Sequence, residues 1–230
     1  MRERTGAKRR MSQKKCSLRK KITKEVACDY LVHLPEGYAK SKKAWPLILF
    51  LHGSGERGTD IEVVKKHGIP KIAQEDPKFP FIAVSPQCPM PRWWSMETLI
   101  ALLDKVEKTY RVDKSRIYLT GLSMGGYGTW ALACEQPHRF AAIAPVCGGG
   151  ISHLMFLIKD VPAWVFHGGK DNVVLPEEST RLVEALKYFK ADVKLTIYPE
   201  AGHDSWTKTY ENPKLYEWFL SHRLGKKSAK

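Results

Sequence analysis

The sequence predicts an α/β fold, a mostly parallel central sheet with helices on both faces. Two observations carry the prediction. Short apolar runs bounded by Gly or Pro alternate along the chain with amphipathic stretches, the pattern of strands joined by crossover helices. Most of those runs are also too brief for helices and rich in β-branched and aromatic residues, which suits strands buried on both sides.

In chain order, strands are predicted at Val26 to Leu34, Pro46 to Leu51, Phe81 to Val84, Arg116 to Thr120, Ala141 to Val146, Ala163 to Phe166 and Val193 to Tyr198. Helices are predicted at Met96 to Tyr110, Met124 to Cys134, Glu177 to Phe189 and Pro213 to His222, where apolar residues recur at intervals of three and four. Between the strand ending at Val146 and the one opening at Ala163 stand 16 residues, too few for a helical cap. An open, shallow site is the expectation.

The 230 residues, 43% of them hydrophobic, fit one domain with a sizeable core. The net charge of +14 suggests nucleic acid, but its distribution argues otherwise. Residues 1 to 24 hold eleven Lys and Arg against Glu3 alone, and residues 226 to 230 add three lysines; residues 25 to 225 carry 24 bases against 23 acids. The expected organisation is therefore a basic disordered tail over 1–24, a folded domain over 25–225 and a short basic tail over 226–230, with no specific nucleic-acid partner. No apolar segment of secretory-signal or membrane-spanning length is visible, so the expectation is no membrane association and the cytoplasm as compartment. Five cysteines, odd in number and without a C-x-x-C pair, fit reduced thiols.

The strongest motif is Gly121-Leu122-Ser123-Met124-Gly125, which follows the strand RIYLT and precedes the helical stretch YGTWALAC. A serine projecting from so tight a turn needs glycine on both flanks, and the arrangement reads as a nucleophile elbow. A serine hydroxyl is a weak nucleophile until a base takes its proton, and that base must be held in one tautomer by a carboxylate. The partners are expected downstream, acid before base, each in a loop after a later strand. Asp171, in HGGKDNVV after the strand AWVF, suits the orienting acid. His203, in EAGHDSW after KLTIY, suits the base. Asp204 is the rival acid, although adjacency in sequence does not carry its carboxylate to the far imidazole nitrogen.

Two backbone N–H groups should face the developing oxyanion. One belongs to Met124, directly after the nucleophile. The other should come from His52-Gly53-Ser54-Gly55, with Ser54 the expected donor and Gly55 the alternative. Gly55, Trp94 and Trp206 are candidate substrate contacts, the tryptophans because they lie in loops on the ligand-binding side of a parallel sheet. Gly53 to Gly58 also matches G-x-G-x-x-G, but Glu56 would set an anion beside phosphates, and no cofactor is expected. His52 and His167 are read as shaping the Gly turns behind them, not as metal ligands; His67 carries no motif, and no metal is expected.

The segments YLVHLPEGY, PLILFLHGSGERGTD, SPQCP, GLSMGGYGTWALACEQPHRFAAIAPVCGGG, HGGKDNVV and AGHDSW together resemble compact esterases of the α/β-hydrolase superfamily. The likeness lies near feruloyl esterases, phospholipase/carboxylesterases, polyhydroxyalkanoate depolymerases and the proteins called predicted peptidases, and covers about residues 26 to 222. It implies hydrolysis of a small-molecule carboxylic ester through an acyl-enzyme, without a cofactor. A serine peptidase with the same triad is the alternative, and a binding protein on a hydrolase fold is a third reading.

Overall fold

The computed structural model describes residues 13–225. Seven strands form one sheet: β1 (Tyr30–His33), β2 (Trp45–Leu51), β3 (Ile82–Pro86), β4 (Val112–Leu122), β5 (Ala142–Val146), β6 (Ala163–Gly168) and β7 (Val193–Tyr198), in the order β1-β3-β2-β4-β5-β6-β7. β1 pairs antiparallel with β3, and every other pair is parallel.

The period-two alternation of each strand sorts its side chains between two cores. In β2, Leu47, Leu49 and Leu51 point to the face covered by α2 (Met96–Thr109), α3 (Met124–Glu135) and α4 (Glu177–Tyr188). Ile48 and Phe50 point to the other face, covered by α1 (Gly68–Glu75), α5 (Trp206–Tyr210) and α6 (Pro213–Ser221). All seven residues of β2 are buried. The predicted α/β architecture, with no large cap, is what the chain adopts.

From β2 the chain moves outward to β3, then crosses back to β4 on the opposite side of β2. The connections diverge at the β2/β4 boundary, the crevice where parallel sheets bind ligands. Leu51 of β2 lies beside Gly121 of β4, and Leu122 beside Val146 of β5. The loops after β2, β4, β5, β6 and β7 therefore open on one edge of the sheet.

Two strand boundaries and one helix depart most from expectation. β1 covers only Tyr30–His33, because it is an edge strand with four ladder partners on β3. β4 begins at Val112, since VDKS is too polar to read as an apolar run although Trp45 pairs with Val112. Helix α1 is absent from the predicted helices, and its first turn contains Gly68 and Pro70. Pro70 sits in the first turn, where its missing N–H costs nothing. Gly68 has φ +67°, and a Cβ there would stand 2.3 Å from the Phe50 ring. The tail expectation for residues 1–12 and 226–230 lies outside the described residues, and residues 13–29 carry neither helix nor strand.

Candidate active site

Ser123 joins β4 to α3 with φ 52° and ψ −117°, a strained conformation for a residue with a side chain. The flanking glycines are required sterically: a Cβ on Gly121 would lie 2.4 Å from the Gly125 carbonyl oxygen, and one on Gly125 only 1.9 Å from that of Leu51. The Ser123 amide donates to the Val146 carbonyl (3.0 Å), and its own carbonyl accepts from Tyr127 N–H (3.1 Å). The turn is thus tied to β5 and to its own helix.

His203, in the loop after β7, places Nε2 2.9 Å from Ser123 Oγ. Its Nδ1 lies 2.7 Å from Asp171 Oδ2. In the tautomer these contacts define, Nδ1–H donates to the carboxylate and Nε2 accepts the serine proton. Asp171 Oδ1 accepts from the Val173 (2.9 Å) and Val174 (3.0 Å) amides. Burial alone would raise the Asp171 pKa, yet the hydrogen bonds from His203 and these two amides outweigh it and hold the carboxyl below its ordinary value.

Asp204 is engaged elsewhere, its carboxylate accepting from the Thr207 amide (3.0 Å) and hydroxyl (2.9 Å) at the start of α5. His167 braces the acid loop: Nε2–H donates to the Val174 carbonyl at 2.8 Å and stands 3.2 Å from Asp171 Oδ2, while Nδ1 accepts from Ser179 (2.7 Å).

Ser54 opens a 3-10 turn, Ser54–Glu56, and Met124 opens α3. The first amides of a helix have no partner within it, and Ser54 and Met124 both hold that position. Gly55 lies beside Ser54, exposed and with open space around it.

A dense set of bonds fixes this loop. His52 Nδ1–H donates to the Gly53 carbonyl (2.6 Å), while His52 Nε2 accepts from the Cys88 amide (3.0 Å). Burial lowers the His52 pKa and favours this neutral, accepting form. Arg57 Nε donates to the Ser54 carbonyl (3.1 Å) and its Nη1 to that of Pro91 (3.2 Å). The Trp94 indole donates to the His52 carbonyl at 3.3 Å.

Sequence reasoning missed Glu56. Its buried carboxylate accepts the Gly53 amide through Oε2 (3.0 Å), its carbonyl accepts from the Gln87 amide group, and Oε1 stands 3.8 Å from His67 Nε2. His67 in turn packs on Trp206 with ring centroids 5.6 Å apart, and Trp206 meets His203 edge-on at 5.3 Å. Trp206 thus touches the imidazole, whereas Trp94 packs against His52, 4.7 Å between centroids. Glu56 lies within the quoted HGSGERG motif, but only the folded turn shows its carboxylate reaching back to Gly53.

Cys147, after β5, has its thiol within 4.8 Å of ligand atoms of Asp171 and His203. A metal there would have to strip a thiol that burial pushes up to about 12, and to displace the proton shared by His203 and Asp171.

Beside the elbow, on the α2/α3 face, lies a cavity of about 590 Å³ whose walls include Trp93, Trp94, Tyr127, Trp130, Ile151 and Leu154. The short segment between β5 and β6 folds into a 3-10 stretch, Ser152–Ile158, and makes one wall. No cap is inserted, and the cavity adjoins the elbow without being lined by Ser123, His203 or Asp171 themselves.

A mostly parallel sheet with helices on both faces and a serine elbow at its central strand defines an α/β-hydrolase. More narrowly, residues 90–216, over half of the chain, match the Dienelactone hydrolase family, and the chain belongs to it. It is 28% identical over 206 residues to the bifunctional acetylxylan esterase/xylanase of Neocallimastix patriciarum, covering 83% of this chain and 28% of that protein. It is 40% identical over 48 residues to poly(3-hydroxyalkanoate) depolymerase C of Paucimonas lemoignei, 21% of this chain and 12% of that one. Among solved structures, a thermostable esterase matches with TM-score 0.72 and 35% identity over 84% of this chain and 59% of its own. The acylaminoacyl peptidase of Pyrococcus horikoshii shares the fold, with TM-score 0.64 and 16% identity over 90% of this chain and 41% of its own. The chain thus spans only part of each of these proteins.

Proposed function

We propose that the chain is a carboxylic ester hydrolase working through an acyl-enzyme. The observation that carries this reading is the continuous series Ser123 Oγ, His203 Nε2, His203 Nδ1, Asp171 Oδ2, with separations of 2.9 and 2.7 Å at its two junctions. In the proposed path His203 takes the hydroxyl proton as Ser123 attacks the ester carbonyl, and the Ser54 and Met124 amides receive the oxyanion. The imidazolium, held by Asp171, then protonates the leaving alcohol. Water activated by the same imidazole releases the acid and restores Ser123. No cofactor is needed for any step.

The esterase names of two relatives support an ester over a peptide bond. We place the activity in residues 25–225, with both basic ends outside it. Cytoplasmic residence is part of the same proposal: all five cysteines are free thiols, which suits a reducing compartment. Among the described residues no helix is long and apolar enough to cross a membrane.

Fluorophosphonate labelling, with Ser123→Ala as control, tests the nucleophile, and parallel turnover of a p-nitrophenyl acyl ester and a peptide anilide tests the bond. The expected result is label that depends on Ser123, with turnover of the ester alone. Label retained in Ser123→Ala, or efficient anilide cleavage, overturns the assignment.

A further inference from the structure

We propose that the cavity beside the elbow receives the acyl half of the ester, and that this half is uncharged and apolar, the size of a medium alkyl chain. The inference rests on the ester-hydrolase reading of Ser123 and extends it to the substrate class.

Position comes first. Tyr127 stands four residues after Ser123 on α3, about 6 Å further along the helix, so the cavity begins one turn from the nucleophile. Gly149, on the same wall, would bring a Cβ within 2.8 Å of the Tyr127 ring, and a glycine there keeps that approach open. Trp93 meets Tyr127 edge-on at 5.9 Å.

The direction of the reaction selects the acyl half. His203 must hand its proton to the leaving oxygen, so the alcohol lies against the imidazole. That side is flanked by Trp206 and His67, toward the α1/α5 face. No residue of the loop 199–205 lines the cavity, which lies on the α2/α3 face. The oxyanion points to the Ser54 and Met124 amides. The acyl substituent takes the direction that remains.

The lining sets the chemistry. Trp93, Trp94, Tyr127, Trp130 and Leu154 form its walls, Ile151 and Leu157 stand exposed at its rim, and Glu135 is its one ionisable carboxylate, with no Lys, Arg or His among the lining residues. A volume near 590 Å³ lies within the range of small-ligand pockets. Nothing there compensates a negative charge, so a carboxylate-bearing acyl group would be disfavoured.

The test measures kcat/KM for two ester series, one varying the acyl chain from acetyl to hexanoyl with methanol as the alcohol, the other holding acetyl and lengthening the alcohol. Each buried methylene should raise kcat/KM roughly fourfold, about 200-fold from acetyl to hexanoyl. The alcohol series should stay nearly flat, and an acyl chain ending in a carboxylate should fall back to the acetyl value. Ala131, an exposed residue of the cavity lining, changed to tryptophan (Ala131→Trp) should obstruct the cavity and reduce the hexanoyl-to-acetyl ratio at least tenfold. Ile151→Asp, at the exposed rim, should reduce it as well and serves if the first variant fails to fold, with circular dichroism reporting folding. Wild-type turnover of acetyl esters without acyl-chain preference, a preference following the alcohol, or a ratio unmoved in a folded variant overturns the cavity assignment alone. Absence of turnover for every ester, with no Ser123-dependent label, overturns the ester reading instead.

Discussion

Glu56 is the residue whose position says most beyond the proposed triad. Its carboxylate pins the Gly53 amide and so sets the pitch of the turn that presents the Ser54 N–H. Loss of an oxyanion donor costs about 100- to 1,000-fold in kcat, and a misaimed donor forfeits part of that. Glu56→Ala is expected to lower kcat by about 10- to 100-fold with KM little changed, whereas Glu56→Gln, which keeps an acceptor oxygen, should retain most of the rate. A purely structural role would lower the melting temperature of both variants and leave the kcat of folded protein alone. His52 adds a pH dependence. Its folded pKa lies below the ordinary value near 6.5, so the unfolded chain binds the proton first as pH falls. Stability is then fully present above about 6.5 and is lost as pH falls from there toward the lower folded value, because protonation also removes the acceptor of the Cys88 amide. Melting temperatures from pH 7.5 to 5.5 should fall less steeply in His52→Gln. Ser123, Asp171 and His203, which the fold brings together, could be singled out in sequence because each occupies a short loop straight after an apolar strand. The Glu56–Gly53 bond and the Cys147 thiol behind His203 could not, since turn geometry and strand neighbours create those contacts.

At the scale of elements, the junction of β2, β4 and α3 is very close. Backbone meets backbone there, with Gly125 against Leu51 and Gly126 against Val146 and Gly148. Gly125→Ala would force α3 away from the sheet and should destabilise by about 1–3 kcal/mol or more, measured by urea unfolding, with Ser123 labelling lost in whatever folds. The strands and the four longer helices were legible because their periodicity is imposed by burial on a two-sided sheet. Helix α1, the five-residue α5 and the 3-10 segments were not. Helix α1 opens with the Gly and Pro of a loop, the others are too short to show a period, and their shape is set by what they pack against, as with Gly68 under Phe50. The Ser152–Ile158 segment is one such case: too short to be a cap, it still supplies Leu154, Met155 and Leu157 to the cavity beside the elbow.

Across the whole molecule, protection is uneven. β4, which delivers Ser123, is held by neighbours on both sides and ends in six buried residues. β7, which delivers His203, is the outer strand at the far end of the sheet, and none of its residues is fully buried. Local opening follows such differences, with fraying margins requiring far less free energy than global unfolding. The imidazole therefore follows an outer ribbon prone to peel, while the hydroxyl beside it stays clamped at the centre. Warmed gradually, the protein should stop turning over ester several degrees before its circular dichroism changes, and cooling should revive it, so that thermal shut-off is a reversible loss of one outer ribbon and precedes collapse of the core.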